Sequence, residues 1–301
     1  MSAVDTASPP ADSAADRTAD SAADSTVELV ANGPFDVPGA AGLLRNHSLP
    51  GVERVGDDGR RLERVLSVGS RAVPLALELT ATGVRVTTAD PAVLPLVRAW
   101  FDLDSDVEAI GAALARDPLL APMVAARPGL RATQYPEPFE AAVMAVLGQQ
   151  VSVAAARTFG GRAVSAFGGE GAWGLRSFPT PEALLAGELE ELRAAIGVTR
   201  ARAATVRAVA AAFADGLVLD RAGDLPEQRR RLLAIPGIGP WTADYLGLRL
   251  LGDPDAFPAG DLVLRRALGG VPTAAADAMS QAWRPHRAHA AFHLWASTGA
   301  V

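Results

Sequence analysis

Asp261, in the stretch FPAGDLVLRRALG, is a carboxylate placed where it could do chemistry. It follows a Pro/Gly cluster and precedes an apolar run, the pattern of a helix N-cap. A helix N-terminus favours the ionised form of a carboxylate. An anion fixed there can stabilise positive charge that develops beside it, or orient and deprotonate a water. Capping and chemistry are compatible, and the residues alone leave both open. Twenty residues upstream, LLAIPGIGPWTADYLG packs two prolines and two glycines between two helical segments. Pro236 ends the first segment, Ile238 is apolar enough to plug the turn into a core, and Pro240 or Trp241 starts the second. Gly237 and Gly239 permit backbone conformations or close approaches that a Cβ obstructs. The first amides of the second helix have no intrahelical partner, so such a hairpin can hold a phosphate oxygen. It can equally be a plain turn between antiparallel helices. Aromatic residues make up only 5% of the chain, so their positions carry information. Trp241 and Tyr245 lie one turn apart on one helix face, and Trp295 lies in the last helical segment. Core packing and a binding wall are both open for these three.

The elements that must position these residues fall into two parts. In the stretch from about residue 27 to 98, Leu75, Leu77 and Leu79 alternate with other residues, as do Val84 and Val86 around Arg85. This period of two predicts antiparallel strands, with a turn near Gly83. Asp58-Gly59 marks a second hairpin, and VPGAAGLLRNHSL is a short helix. From residue 99 onward the pattern is helical almost throughout. Thr180-Pro181-Glu182 and Pro138 mark helix starts, and Asp117-Pro118 breaks one helical stretch into two. The fold class read from this is α+β: a small domain with an antiparallel sheet at 27–98, then an all-α domain at 99–301. Residues 1–26 carry five Asp against Arg17, four of the six net negative charges of the chain. They are read as a disordered acidic tail, with no signal-peptide h-region. The rest is close to neutral, which neither announces nor excludes a nucleic-acid partner. There is no cysteine, so thiolate metal sites, disulfides and cysteine nucleophiles are excluded. There is no lysine either: all 28 basic residues are arginine. No run is apolar enough to span a membrane. The expectation is a cytoplasmic, nucleoid-associated protein. His289 and His293 stand at i, i+4 with no third ligand evident, so no side-chain metal site is expected.

Taken together, IPGIGPWTA, FPAGDLVLRRALG, EPFEAAVMAVLGQQVSVAAARTFGGR, FPTPEALL and WRPHRAHAAFHLW resemble the helix-hairpin-helix DNA glycosylases, and within them the DNA-3-methyladenine glycosylase II family. LPGVERV and WFDLDSD in the first half are similar to that family too, so the likeness runs over about residues 30–300. It implies two helical lobes with a cleft between them. It implies base excision repair by hydrolysis of the N-glycosidic bond of alkylated purines flipped from damaged double-stranded DNA, by a monomer that needs no cofactor. A non-catalytic DNA-binding protein with the same hairpin is the alternative, as is a same-fold glycosylase for oxidised or deaminated bases. The resemblance gives Asp261 the catalytic role and makes Trp241, Tyr245, Trp295 and Leu262 the base pocket. An electron-rich ring face attracts a cationic alkylated base, and stacking holds a base removed from the duplex. Gln149, Gln150, Gly237, Gly239, Thr242 and Arg265 fall to DNA contact, with Gln150 at the wedge that fills the gap; Arg249 and Arg266 are further phosphate candidates. Main-chain carbonyls of Leu233, Ile235 and Ile238 would hold a monovalent cation, Na or K. Lyase members use an amine to form a Schiff base; this chain has Trp241 at that position and no lysine elsewhere. A monofunctional hydrolase without lyase activity is therefore expected. Two positions depart from the family pattern: Leu262 replaces a Tyr, and Gly260 replaces a second acid.

Overall fold

A computed structural model describes residues 24–69 and 71–299. Five strands, β1 (Ser25–Val30), β2 (Glu53–Val55), β3 (Arg61–Val68), β4 (Arg71–Thr80) and β5 (Gly83–Thr88), form one antiparallel sheet in the order β1-β5-β4-β3-β2. Val73, Leu75, Leu77 and Leu79 of β4 are buried and their neighbours are not, as a one-sided sheet requires. Leu77 pairs with Val86 and Leu79 with Val84, so the apolar rows coincide. Two findings adjust the sequence reading. Gly83 begins β5, and the turn is Ala81-Thr82 before it. Ser25 and Thr26, assigned to the tail, are the first residues of β1 and pair with Thr88 and Thr87. The rest of that tail lies outside the described residues, apart from Asp24.

Helix α1 (Val37–His47) packs on this sheet, and α2 (Leu94–Trp100) follows it after a 3₁₀ turn at Pro91–Val93. Trp100, Phe101 and Leu103 belong to the sheet's core, so this unit runs past the boundary expected at 98. Then come α3 (Val107–Leu114), α4 (Ala121–Ala126), α5 (Pro138–Leu147), α6 (Val153–Phe167), α7 (Pro181–Leu185), α8 (Leu189–Ile196), α9 (Arg200–Ala214), α10 (Leu225–Leu233), α11 (Pro240–Arg249), α12 (Leu262–Ala267), α13 (Thr273–Ser280) and α14 (Arg287–Ser297).

The helices enclose two separate cores. One is built from α5 to α10 and the inner face of α11, with Val143, Val206, Leu232 and Leu246 at its centre. The other joins α3 and α4 to α12, α13 and α14. The chain therefore begins this second lobe, leaves to build the first, and returns to finish it. Helix α11 serves both: Leu246 packs in the first core, Leu248 in the second, and Tyr245 lies against each. All of α5 from Glu140 to Leu147 is buried, because the sheet domain covers the side left open by the helices.

That junction carries a charge cluster. Arg64 of β3, 1% exposed, meets Glu53, Glu137 and Glu140, with Glu137 at 3.0 Å. The Ser67 amide donates to Glu137 Oε1 at 2.6 Å. Three carboxylates share one guanidinium, so one of them is poorly compensated. Burial pushes Glu140 up to about 8 against the pull of Arg64.

Candidate active site

Asp261 caps α12. Its Oδ1 accepts from the amides of Val263 and Leu264, each at 3.0 Å. Two indoles complete the set: Trp295 Nε1 donates to Oδ1 at 3.1 Å and Trp241 Nε1 to Oδ2 at 3.1 Å. Every bond is accepted, as an ionised carboxylate requires. The cap is thus the means by which the anion is aimed. Trp241 comes from α11, Trp295 from α14 and Asp261 from α12, so three elements fix one group.

The aromatic rings form the wall beside it. Trp241 and Tyr245 stack with centroids 5.3 Å apart, and Trp295 stands edge-on to Tyr245 at 6.3 Å. With Asp261 they line a cavity of about 190 Å³ between the two lobes. Met144 of α5, Val153 and Ala156 of α6, Val263, Arg249 and His47 of α1 share the lining. Leu262 does not. It is 54% exposed at the start of α12, and Val263, one residue on, takes the place expected for it. Gly260 is uncrowded: a Cβ there would sit 3.8 Å from Trp241 Cδ1, an ordinary contact.

The hairpin and the α5–α6 turn meet at the mouth. Gln149 Nε2 donates to the Gly237 carbonyl at 3.2 Å and to the Thr242 hydroxyl at 3.0 Å. Its own carbonyl accepts from Arg202 of α9. Gln149 therefore ties the turn to the hairpin. Thr242 faces this bond at 2% exposure, so its expected contact with DNA is replaced by an internal one. Gln150 is exposed at the tip of the turn with φ +55°, in the left-handed region. Gly237 has φ +89°, and a Cβ would lie 2.0 Å from Thr205 Oγ1. Gly239 needs no such freedom, with φ −100° as the N-cap of α11, yet a Cβ there would point into open space. Arg265 is half-buried and closes the loop after α12 by donating to the Val271 carbonyl at 2.8 Å. Arg266 is exposed. Arg249 is buried at 4% exposure, which overturns the phosphate contact expected of it from sequence.

The three hairpin carbonyls expected to face a cation make few other bonds. Among the described hydrogen bonds none is accepted by the Leu233 or Ile238 carbonyls, and the Ile235 carbonyl accepts one, from the Ile238 amide at 3.0 Å. Among the described residues no group of three His, Asp or Glu side chains is placed to hold a metal ion. His289 instead meets Asp102 at 3.0 Å, and burial pushes His293 down to about 4.

Residues 26–135 match the AlkA N-terminal domain, and residues 143–281 match the HhH-GPD superfamily of base excision DNA repair proteins. The chain is 31% identical to DNA-3-methyladenine glycosylase 2 of Escherichia coli over 280 residues, covering 88% of this chain and 95% of that protein. The chain belongs to this glycosylase family. It is also 39% identical over 283 residues to the probable bifunctional transcriptional activator/DNA repair enzyme AlkA of Mycobacterium tuberculosis, covering 89% of this chain and 56% of that one. It spans about half the length of that relative. The solved 3-methyladenine DNA-glycosylase of Archaeoglobus fulgidus shares the fold, with TM-score 0.78 at 23% identity over 89% of this chain and 97% of that one.

Most of the lining outside the aromatic set escaped the sequence reading of the pocket, Arg249 and His47 among it. Arg249 stands eight residues after Trp241, two turns along the same face of α11, so helix phase alone could have found it. His47 comes from the sheet domain, about a hundred residues before the nearest lining helix, and had no local signal.

Proposed function

We propose that the chain is a monofunctional DNA glycosylase that releases alkylated purines from double-stranded DNA as a monomer at the nucleoid. The observation that carries this reading is the carboxylate of Asp261, held by four N–H donors on the wall of an aromatic cavity. A DNA-binding module needs neither a fixed anion nor an aromatic slot. Glycosidic cleavage puts positive charge on the sugar, and an anion that is already oriented stabilises it without reorganising. Trp241, Tyr245 and Trp295 offer ring faces to an extruded base, cationic or neutral.

Gln150 enters the gap in the duplex in this reading, which its exposure on a turn that Gln149 braces against the hairpin supports. The hairpin and the α11 N-terminus take a phosphate, for which the open space outside Gly239 leaves room. A monovalent cation on the Leu233, Ile235 and Ile238 carbonyls would add positive charge at the same phosphate.

The absence of lysine supports hydrolysis without strand cleavage. Duplexes carrying one 3-methyladenine, 7-methylguanine, hypoxanthine or 8-oxoguanine test the reading, with abasic products revealed by alkali. Release of the alkylated purines is expected. Binding without release from any duplex would instead favour the non-catalytic alternative. Borohydride is expected to trap no protein–DNA adduct, and a trapped adduct would refute the monofunctional assignment.

A further inference from the structure

Arg249 is an unusual residue to find at the back of a pocket proposed for cationic bases. It is 4% exposed, and no carboxylate lies within ion-pair distance of it among the described residues. Its Nη1 donates to the Thr133 carbonyl at 2.7 Å and the Thr133 hydroxyl at 3.0 Å. Its Nε is buried without a hydrogen-bond partner. The guanidinium lies between the rings of Tyr135 and Phe292, 5.2 and 5.3 Å from their centroids. Tyr135 is hydrogen-bonded to Tyr245, and burial raises its hydroxyl well above its ordinary value, so it remains neutral. A buried cation with so few partners is costly. It sits on the same face of α11 as Trp241 and Tyr245, and it lines the cavity that holds Asp261.

We infer that Arg249 is a specificity-determining cation that stabilises the departing base when that base is uncharged in DNA. The inference rests on the reading of the cavity as a base pocket. Hydrolysis breaks the C1′–N9 bond, and the electron pair stays on N9. Water adds to C1′ and gives up a proton. An N-methylated purine such as 7-methylguanine is a cation in DNA and leaves neutral, with the water's proton passing to solvent. Hypoxanthine is neutral in DNA and leaves as an anion, which then takes up a proton. The anion needs a positive charge at its far side, and a guanidinium supplies that charge without losing its own proton. Asp261 and Arg249 then divide the work: one faces the cationic sugar, the other faces the anionic base. For a base that is already a cation, Arg249 contributes nothing and opposes binding.

Single-turnover release of hypoxanthine and 7-methylguanine from matched duplexes tests this with wild type, Arg249→Gln and Arg249→Lys. Arg249→Gln is expected to slow hypoxanthine release by about a hundredfold, in the range for removing one preorganised charge-stabilising donor. Release of 7-methylguanine is expected to hold or rise, and Arg249→Lys to keep most of the preference. An equal loss on both substrates would mean that Arg249 only anchors Thr133, and would overturn the inference. A wild type that releases neither base would defeat the functional reading itself.

A second measurement covers a Gln variant that fails to fold. Wild-type protein on an abasic-site duplex is titrated with xanthine at pH 7 and at pH 9, where more of the purine is an anion. Tighter binding at pH 9 is expected, and equal or weaker binding would overturn the inference.

Discussion

Replacing Asp261 by Asn separates its capping from the catalytic role proposed for it. The side chains match in shape, so Asn Oδ1 can still accept from the Val263 and Leu264 amides and from Trp295 Nε1. The other end changes sign as a hydrogen-bonding group. Its NH₂ now faces Trp241 Nε1–H, 3.1 Å away, donor against donor. A half-buried unsatisfied group costs about 1–3 kcal/mol, so melting falls by several degrees and folding survives. The effect on rate is larger. A unit negative charge about 4 Å from a developing positive charge is worth about 4 kcal/mol at an effective dielectric of about 20, which corresponds to roughly a thousandfold in rate. The assay is single-turnover release of 7-methylguanine, with affinity for an abasic-site duplex measured alongside. Rate loss with retained affinity is expected. Asp261→Ala, which also removes the cap, should cost a further ~1 kcal/mol of stability. A folded Asp261→Asn protein that works within tenfold of wild type would refute the electrostatic role, because Asn keeps the cap and loses only the charge.

The two hairpin glycines should respond oppositely. Gly237→Ala forces a side chain into the left-handed region against Thr205 and should destabilise the protein by at least ~1 kcal/mol. Gly239→Ala should leave melting nearly unchanged yet weaken binding to a duplex, as titration at fixed salt would reveal. Gln149→Ala removes two bonds to the hairpin and should lower duplex affinity with a stability cost of about 1 kcal/mol. Glu140 gives a pH signature. Its carboxyl binds a proton in the folded state up to about pH 8 and in the unfolded state only near its ordinary value of 4.5. The folded state thus holds more protons across that window, and stability falls as pH rises through it, by at most ~1.4 kcal/mol per unit. Glu140→Gln should flatten this slope in denaturant titrations at pH 5, 7 and 9. An unchanged slope would place the titration elsewhere in the cluster.

The site was legible to the extent that its chemistry is local in sequence. Asp261 announces itself by its cap, the hairpin by its glycines and prolines, and Trp241 with Tyr245 by their one-turn spacing. The misplaced residues fail in a consistent way. Thr242 follows Trp241 by one position, and Leu262 precedes Val263 by one. A single step rotates a helix by about 100°, enough to carry a side chain from the cavity wall to the interior or to solvent. Motif matching aligns positions along the chain and does not fix that phase. Arg249 has the right phase but was read by charge alone, since an arginine near a helix end is ordinarily solvated. Only the closure of Tyr135 and Phe292 around it, from segments about 115 and 40 residues away, makes it a buried cation. The same holds for Arg64, whose partners Glu137 and Glu140 lie more than seventy residues on. Charges brought together at such separations leave no periodic trace, because their energy depends on desolvation by elements that the local pattern does not name. Such charges are also those whose environment differs most from water. What stays illegible is therefore the burial of these charges, of Arg249 at the back of the pocket and of the Arg64 cluster at the junction that holds α5 in place.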